Sequence, residues 1–208
     1  KVAIKDVKMR TFITEDANRS EMVQHVYDIT YGTVRPNEDT LVVIDDSIVR
    51  GTTLKESIVR MLSRLKPKRL LILSSAPQIR YPDCYGIDMS KLGDFIAFRA
   101  AIELLHDTNQ EHILTETLER CKELQRNNQL HTENAVREIY KPFALKEMSK
   151  KIAELITPKD IDIPIQVIYQ TIESLHEACP TNTGDWYFTG NYPTPGGNRV
   201  VNRAFMNF

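Results

Sequence analysis

Two adjacent carboxylates, Asp45 and Asp46, follow the apolar run Leu41-Val42-Val43-Ile44 and lead into Ser47-Ile48-Val49-Arg50-Gly51-Thr52-Thr53. A continuous apolar run of this length reads as a strand buried in a parallel sheet. The acids then stand at its C-terminal end, the edge at which an open α/β sheet binds ligands. Beyond them Leu54, Ile58, Met61, Leu62 and Leu65 recur at helical spacing, so the loop opens a helix. Unpaired amides at a helix N-terminus favour a phosphate. Gly51 lets the backbone approach closely, and Ser47, Thr52 and Thr53 add hydroxyl donors. Carboxylates beside a phosphate repel it unless they serve an uncharged neighbour, and ribose hydroxyls are such a neighbour. The loop therefore reads as a site for a sugar 5-phosphate. Asp45 and Asp46 are also placed to stabilise positive charge developing at the anomeric carbon. Arg50 has two open roles, phosphate ligand or loop brace.

The elements that must hold this loop follow from pattern. Thr52 or Thr53 reads as the helix N-cap, with Glu56 completing a capping box, and Pro67 ends the helix. Leu70-Leu71-Ile72-Leu73-Ser74-Ser75 is the next buried strand, which makes a βαβ unit and implies a parallel sheet. The fold class is α/β, a parallel sheet with flanking helices, followed by a helical region and an irregular tail. Residues 9–13 read as a short strand and 14–40 as a long loop with a helical turn near 18–26. Helices are expected over Phe95 to His106, about 111–128, about 133–156 with Pro142 kinking or splitting it, and Pro164 to Ala178. From Thr181 neither helical nor strand periodicity is seen. The division read from this is 1–107 for the site-bearing part, 108–180 for a helical extension and 181–208 for the tail.

Composition narrows the function classes. The chain has 208 residues, is 41% hydrophobic and carries a net charge of -1. There is no global basic field to suit a nucleic-acid backbone. No apolar run approaches the roughly 18 residues that span a bilayer. Cys84, Cys121 and Cys179 are scattered and form no Cys-x-x-Cys pair, which fits a reducing, cytoplasmic compartment and gives no zinc knuckle. The five histidines show no metal-ligand spacing. A receiver domain also has a strand ending in two acids, but it needs a further acid at the end of a later strand. Here that position is Ser74-Ser75-Ala76-Pro77, with no acid until Asp83. Neither a dinucleotide-binding glycine pattern nor a Walker sequence is present.

The run Val43 to Thr53 resembles the signature of type I phosphoribosyltransferases, and more closely that of the amidophosphoribosyltransferase family. Arg10-Thr11-Phe12-Ile13 matches the family's strand before a mobile active-site loop. Ser75-Ala76-Pro77, Arg80-Tyr81-Pro82 and Tyr85-Gly86-Ile87-Asp88-Met89 match the segment after its next strand. Phe188-Thr189-Gly190 with Tyr192-Pro193-Thr194 resembles its tail. The resemblance implies the C-terminal part of a glycosyltransferase that moves ammonia from glutamine to phosphoribosyl pyrophosphate, in purine biosynthesis. Asp45 and Asp46 would be catalytic. Asp45, Asp46, Ser47, Arg50, Gly51, Thr52 and Thr53 would bind the ribose hydroxyls and 5-phosphate. Magnesium would arrive on the diphosphate, with Asp45 and Asp46 the candidates to contact it and no residue assigned as a direct ligand. A homo-oligomer is implied, with glutamine handled by an upstream domain lying outside this chain, so that this stretch alone is expected to be inactive.

Three departures from the family pattern stand out. The family's glutamine-hydrolysing domain with its N-terminal cysteine nucleophile, and its pyrophosphate-binding loop, are expected upstream of this sequence, whose opening alternation Val2-Ala3-Ile4-Lys5-Asp6-Val7 reads as the interior of a longer protein. Residues 14–36 keep only Arg19 and Arg35 where the family's mobile loop is rich in cations. Asn182-Thr183-Gly184-Asp185-Trp186-Tyr187 lacks the cysteines with which some members hold an iron–sulfur cluster, so no cluster is expected. The alternative from another class is a non-catalytic phosphoribosyl-binding regulatory or scaffolding homologue.

Overall fold

The structure is a computed structural model that describes residues 3–5, 27–84, 89–181 and 184–208. Two short strands, β1 (Ala3–Lys5) and β2 (Tyr27–Ile29), pair antiparallel. The strand expected at 9–13, the turn near 18–26, Arg19 and Asp88 all lie outside the described residues.

The main sheet is parallel, in the order β3 (Thr40–Asp45), β4 (Arg69–Ser74), β5 (Ile165–Tyr169). Its register aligns Val43 with Ile72 and Val167, and Asp45 with Ser74 and Tyr169. Side chains alternate across a strand, so each row projects to one side. Leu70, Ile72, Val167 and Tyr169 are buried on the helix-covered side. On the other side Ile44 is 75% exposed, and Val42 and Ile168 are exposed with it.

The third strand corrects the sequence reading, which made Pro164 to Ala178 one helix. Ile165, Val167 and Tyr169 are more buried than Gln166 and Ile168, a period of two built from β-branched and aromatic residues. Pro164 precedes the strand, where its missing N–H costs the ladder nothing, and its carbonyl accepts from the Leu70 amide at 2.9 Å. Helix begins only afterwards, at Ile172–Ala178, with the Thr171 hydroxyl accepting from the Ser174 amide at 3.1 Å.

Between β3 and β4 the expected helix is present but differently wound. Leu54–Val59 has the wider π-type turns, and α1 (Arg60–Ser63) continues it. The capping box is absent: Thr53 is itself helical (φ -61°, ψ -40°) and its side chain caps nothing. Downstream run α2 (Ile96–Asp107) and α3 (His112–Arg126). The helix expected at 133–156 is split, into a 3-10 turn at Ala135–Tyr140 and α4 (Leu145–Ile156), with Pro142 between them. α4 packs on both α2 and β5. Phe98, Leu105, Met148, Ile152 and Ile156 are at or near zero exposure there, forming the core beneath the sheet.

The stretch from Thr181, expected to be irregular, holds α6 (Trp186–Thr189) and α7 (Pro195–Met206), with α5 being Ile172–Ala178. The inward face of α7 carries Gly197, Val201, Asn202 and Phe205. A glycine and an asparagine interrupt the apolar stripe, which hid the helical period. Asn202 is fully buried, and its Nδ2 donates to the carbonyls of Leu130 (3.0 Å) and Glu133 (2.8 Å) while its Oδ1 accepts from the Ala135 amide (3.1 Å).

Candidate functional site

The β3 strand ends at Asp45, and the β3–β4 ladder runs on past it. The Ser75 amide donates to the Asp45 carbonyl (2.9 Å), and the Ala76 amide to that of Asp46 (3.1 Å). These bonds fix the backbone of both acids at the sheet's C-terminal edge. Each carboxylate then takes the next amide. Asp46 N–H donates to Asp45 Oδ1 at 3.1 Å, and Ser47 N–H to Asp46 Oδ1 at 2.7 Å. The Oδ2 atom of each has no hydrogen-bond partner among the described residues.

The loop is clamped from below. Ile48 is 2% exposed, and the Val49 carbonyl accepts from the Ile96 amide at 2.8 Å, at the start of α2. Gly51 has φ +71°, the left-handed region that glycine tolerates without strain. Thr52, Thr53, Asp46 and Arg50 remain exposed on top. Among the described residues, the amides from Ile48 to Thr53 donate to no protein acceptor, and Lys55 N–H is the first to close a helical bond, to Gly51 at 3.0 Å. Free amides that rise from buried Ile48 to exposed Thr52 and Thr53, with the two threonine hydroxyls at a helix start, suit an anion.

The electrostatics differ between the two acids. Burial pushes the Asp45 carboxyl above the ordinary range; the neighbouring Asp46 charge adds to this, and the Asp46 amide partly offsets it. Arg50 is half-exposed and meets residues near the start of α2. Its Nη2 lies 3.4 Å from Asp94 Oδ2, and its carbonyl accepts from Arg99 Nη2 at 2.6 Å.

Asp45, Asp46, Ser47, Arg50, Gly51, Thr52 and Thr53 thus come from one continuous segment and surround one edge. Arg80 stands apart from it. Its guanidinium donates to Gln78 Oε1 and lies over the Tyr140 ring, 5.3 Å from the centroid. Among the described residues no group of three His, Cys, Asp or Glu side chains converges as a metal cage. Sequence reasoning missed Tyr169, which ends β5 in the same row as Asp45. It is buried, and burial together with the Asp45 charge holds its phenol protonated far into the alkaline range. The alternation Ile165-Gln166-Val167-Ile168-Tyr169 was the pattern that pointed to it.

No family model matches the chain. The amidophosphoribosyltransferase of Saccharomyces cerevisiae is 39% identical over 158 residues, covering 74% of this chain and 20% of that protein. Those of Pasteurella multocida and Escherichia coli are 46% identical over 61 residues and 43% over 60, in each case 29% of this chain and 12% of theirs. The chain therefore spans between 12% and 20% of the length of these curated relatives. A solved structure, glutamine phosphoribosylpyrophosphate amidotransferase from B. subtilis complexed with ADP and GMP, aligns over 93% of this chain and 32% of that one, at 24% identity and a TM-score of 0.46.

Proposed function

We propose that this chain, similar over a part of their length to the amidophosphoribosyltransferases of bacteria and yeast, is the ribose- and phosphate-binding portion of such an enzyme. The observation that carries the reading is the arrangement at the end of β3. Two carboxylates with free Oδ2 atoms adjoin an arc of unpaired amides and hydroxyls. The arc takes the dianionic 5-phosphate; the acids accept hydrogen bonds from the ribose hydroxyls and face the anomeric carbon.

The reaction that fits is displacement at that carbon. Ammonia forms the new C–N bond as the C–O bond to pyrophosphate breaks; the pyrophosphate leaves with the electron pair, and the ammonium so formed gives up one proton to it or to water, leaving the amine. Charge accumulates on the ring as an oxocarbenium-like centre, and Asp45 and Asp46 stabilise it electrostatically without being consumed. The proposed products are phosphoribosylamine and pyrophosphate, with glutamine as the ammonia source in a further domain. A homo-oligomer and a cytoplasmic setting in purine biosynthesis belong to the same proposal.

Magnesium fits the donor set. Arriving on the diphosphate, it would keep substrate phosphates and waters as ligands, and Asp45 and Asp46 would be the carboxylates in reach to contact it. Bound there, it would neutralise charge on the leaving diphosphate.

The test is amide chemical-shift mapping with ribose 5-phosphate. Shifts concentrated on residues 45–53 support the reading. Absence of any perturbation there at millimolar ligand contradicts it.

A further inference from the structure

On the helix-covered face of the sheet, the row Asp45, Ser74, Tyr169 is polar, whereas the rows below it, Val43, Ile72, Val167 and Leu41, Leu70, Ile165, are apolar. Tyr169 is 6% exposed, yet its hydroxyl has no hydrogen-bond partner among the described residues. A buried hydroxyl without a partner is unfavourable and calls for an explanation.

The geometry supplies one. Neighbouring strands stand about 4.8 Å apart, so the Asp45 and Tyr169 backbones, flanking β4, are separated by roughly 10 Å. Side chains of one row share one side of the sheet, so the aspartate and the longer tyrosine project into the same space on either side of Ser74. Ser74 between them is small, and its hydroxyl is turned away to the Ala76 carbonyl at 2.8 Å. Asp45 has a free Oδ2, and its charge acts on the Tyr169 phenol.

We propose that Tyr169 is a positioning residue for the ribose subsite: its phenol donates to Asp45 Oδ2 when a sugar 5-phosphate occupies the loop, and so fixes the carboxylate to accept from the ribose hydroxyls. A carboxylate oxygen has lone pairs for both donors. The proposal rests on the reading of Asp45 as the ribose acceptor. It explains why a phenol, rather than a phenyl ring, ends β5 beneath the loop.

The experiment compares the wild-type 208-residue chain with Tyr169→Phe, Asp45→Asn and the double variant. Each is titrated with inorganic phosphate and with ribose 5-phosphate at fixed ionic strength. Tyr169→Phe deletes one unpaired oxygen and keeps the ring, and near-ultraviolet circular dichroism checks that the fold is retained. Tyr169→Phe should weaken ribose 5-phosphate about fivefold, one hydrogen bond's worth, and leave phosphate within about twofold. In the Asp45→Asn background the same change should add less than about twofold, because the two residues act as one unit. If Tyr169→Phe weakens both ligands alike, or neither, the tyrosine is structural and the proposal is wrong. If Asp45→Asn weakens ribose 5-phosphate but Tyr169→Phe does not, this inference alone falls. If Asp45→Asn leaves ribose 5-phosphate untouched, the reading of the site falls and takes this inference with it.

Discussion

Gly51 and Ile156 are packed so closely that a β-carbon on Gly51 would lie 3.0 Å from Ile156 Cγ2, with Ile96 Cγ1 at 3.3 Å. The last turn of α4 and the first of α2 thereby set the height of the loop that follows β3. Gly51→Ala meets two costs, a positive φ and a crowded contact with branched side chains. It should destabilise the protein by about 1–2 kcal/mol and lift the loop, weakening phosphate as well. Chemical denaturation gives the first quantity and a phosphate titration the second. Unchanged values for both would mean that the loop height is not set by this contact.

Asn202 is the corresponding fixed point of the C-terminal region. Asn202→Ala strands two carbonyls and one amide in the core. It should cost about 3 kcal/mol, more than a surface asparagine does. A loss of stability under about 1 kcal/mol would show that water takes over these bonds.

The raised carboxyl of Asp45 makes stability depend on pH with a definite sign. The folded state holds this proton more tightly than the unfolded chain, so the contribution is fully present below the ordinary aspartate range. It is lost as the pH rises through the raised value. Asp45→Asn removes the penalty. The variant should melt above the wild type at neutral pH, and the gap should close below about pH 4. A constant gap across that range would separate the effect from ionisation.

The thiols report on the packing of the helices. Cys121 is buried on α3, its Sγ 3.7 Å from Asn202 Oδ1, and burial pushes its thiol up to about 11. Cys179 is exposed. A thiol reagent should modify Cys179 at once and reach Cys121 only on unfolding. Rapid modification of both would contradict the packing of α3 against α7.

The candidate site is legible in the sequence because its parts are contiguous: Asp45 to Thr53 suggest their chemistry by residue type and by their place between an apolar strand and a periodic helix. β5 was misread because Pro164 resembles a helix start and because a five-residue strand followed at once by Ile172–Ala178 blends two periods into one. Tyr169 was missed for the same reason, since its relation to Asp45 exists only through register across β4. The helix at Pro195–Met206 was hidden by Gly197 and Asn202 on its inward face, where a periodicity search expects apolar residues. The absent capping box at Thr53 shows the converse: the sequence pattern was present, but the loop, tied down at Ile48, Val49 and Gly51, carries the chain into helix already at Thr52.

The division of labour within the loop is the central claim, and one set of titrations tests it. The wild type, Thr53→Ala, Asp45→Asn and Asp46→Asn are each titrated with inorganic phosphate and with ribose 5-phosphate at fixed ionic strength. Thr53→Ala should weaken both ligands by about 1 kcal/mol, because both carry the phosphate. Asp45→Asn and Asp46→Asn should spare or strengthen inorganic phosphate, since negative charge beside it is removed, while weakening ribose 5-phosphate. Equal losses of both ligands in folded Asn variants would contradict the assignment of the acids to the sugar.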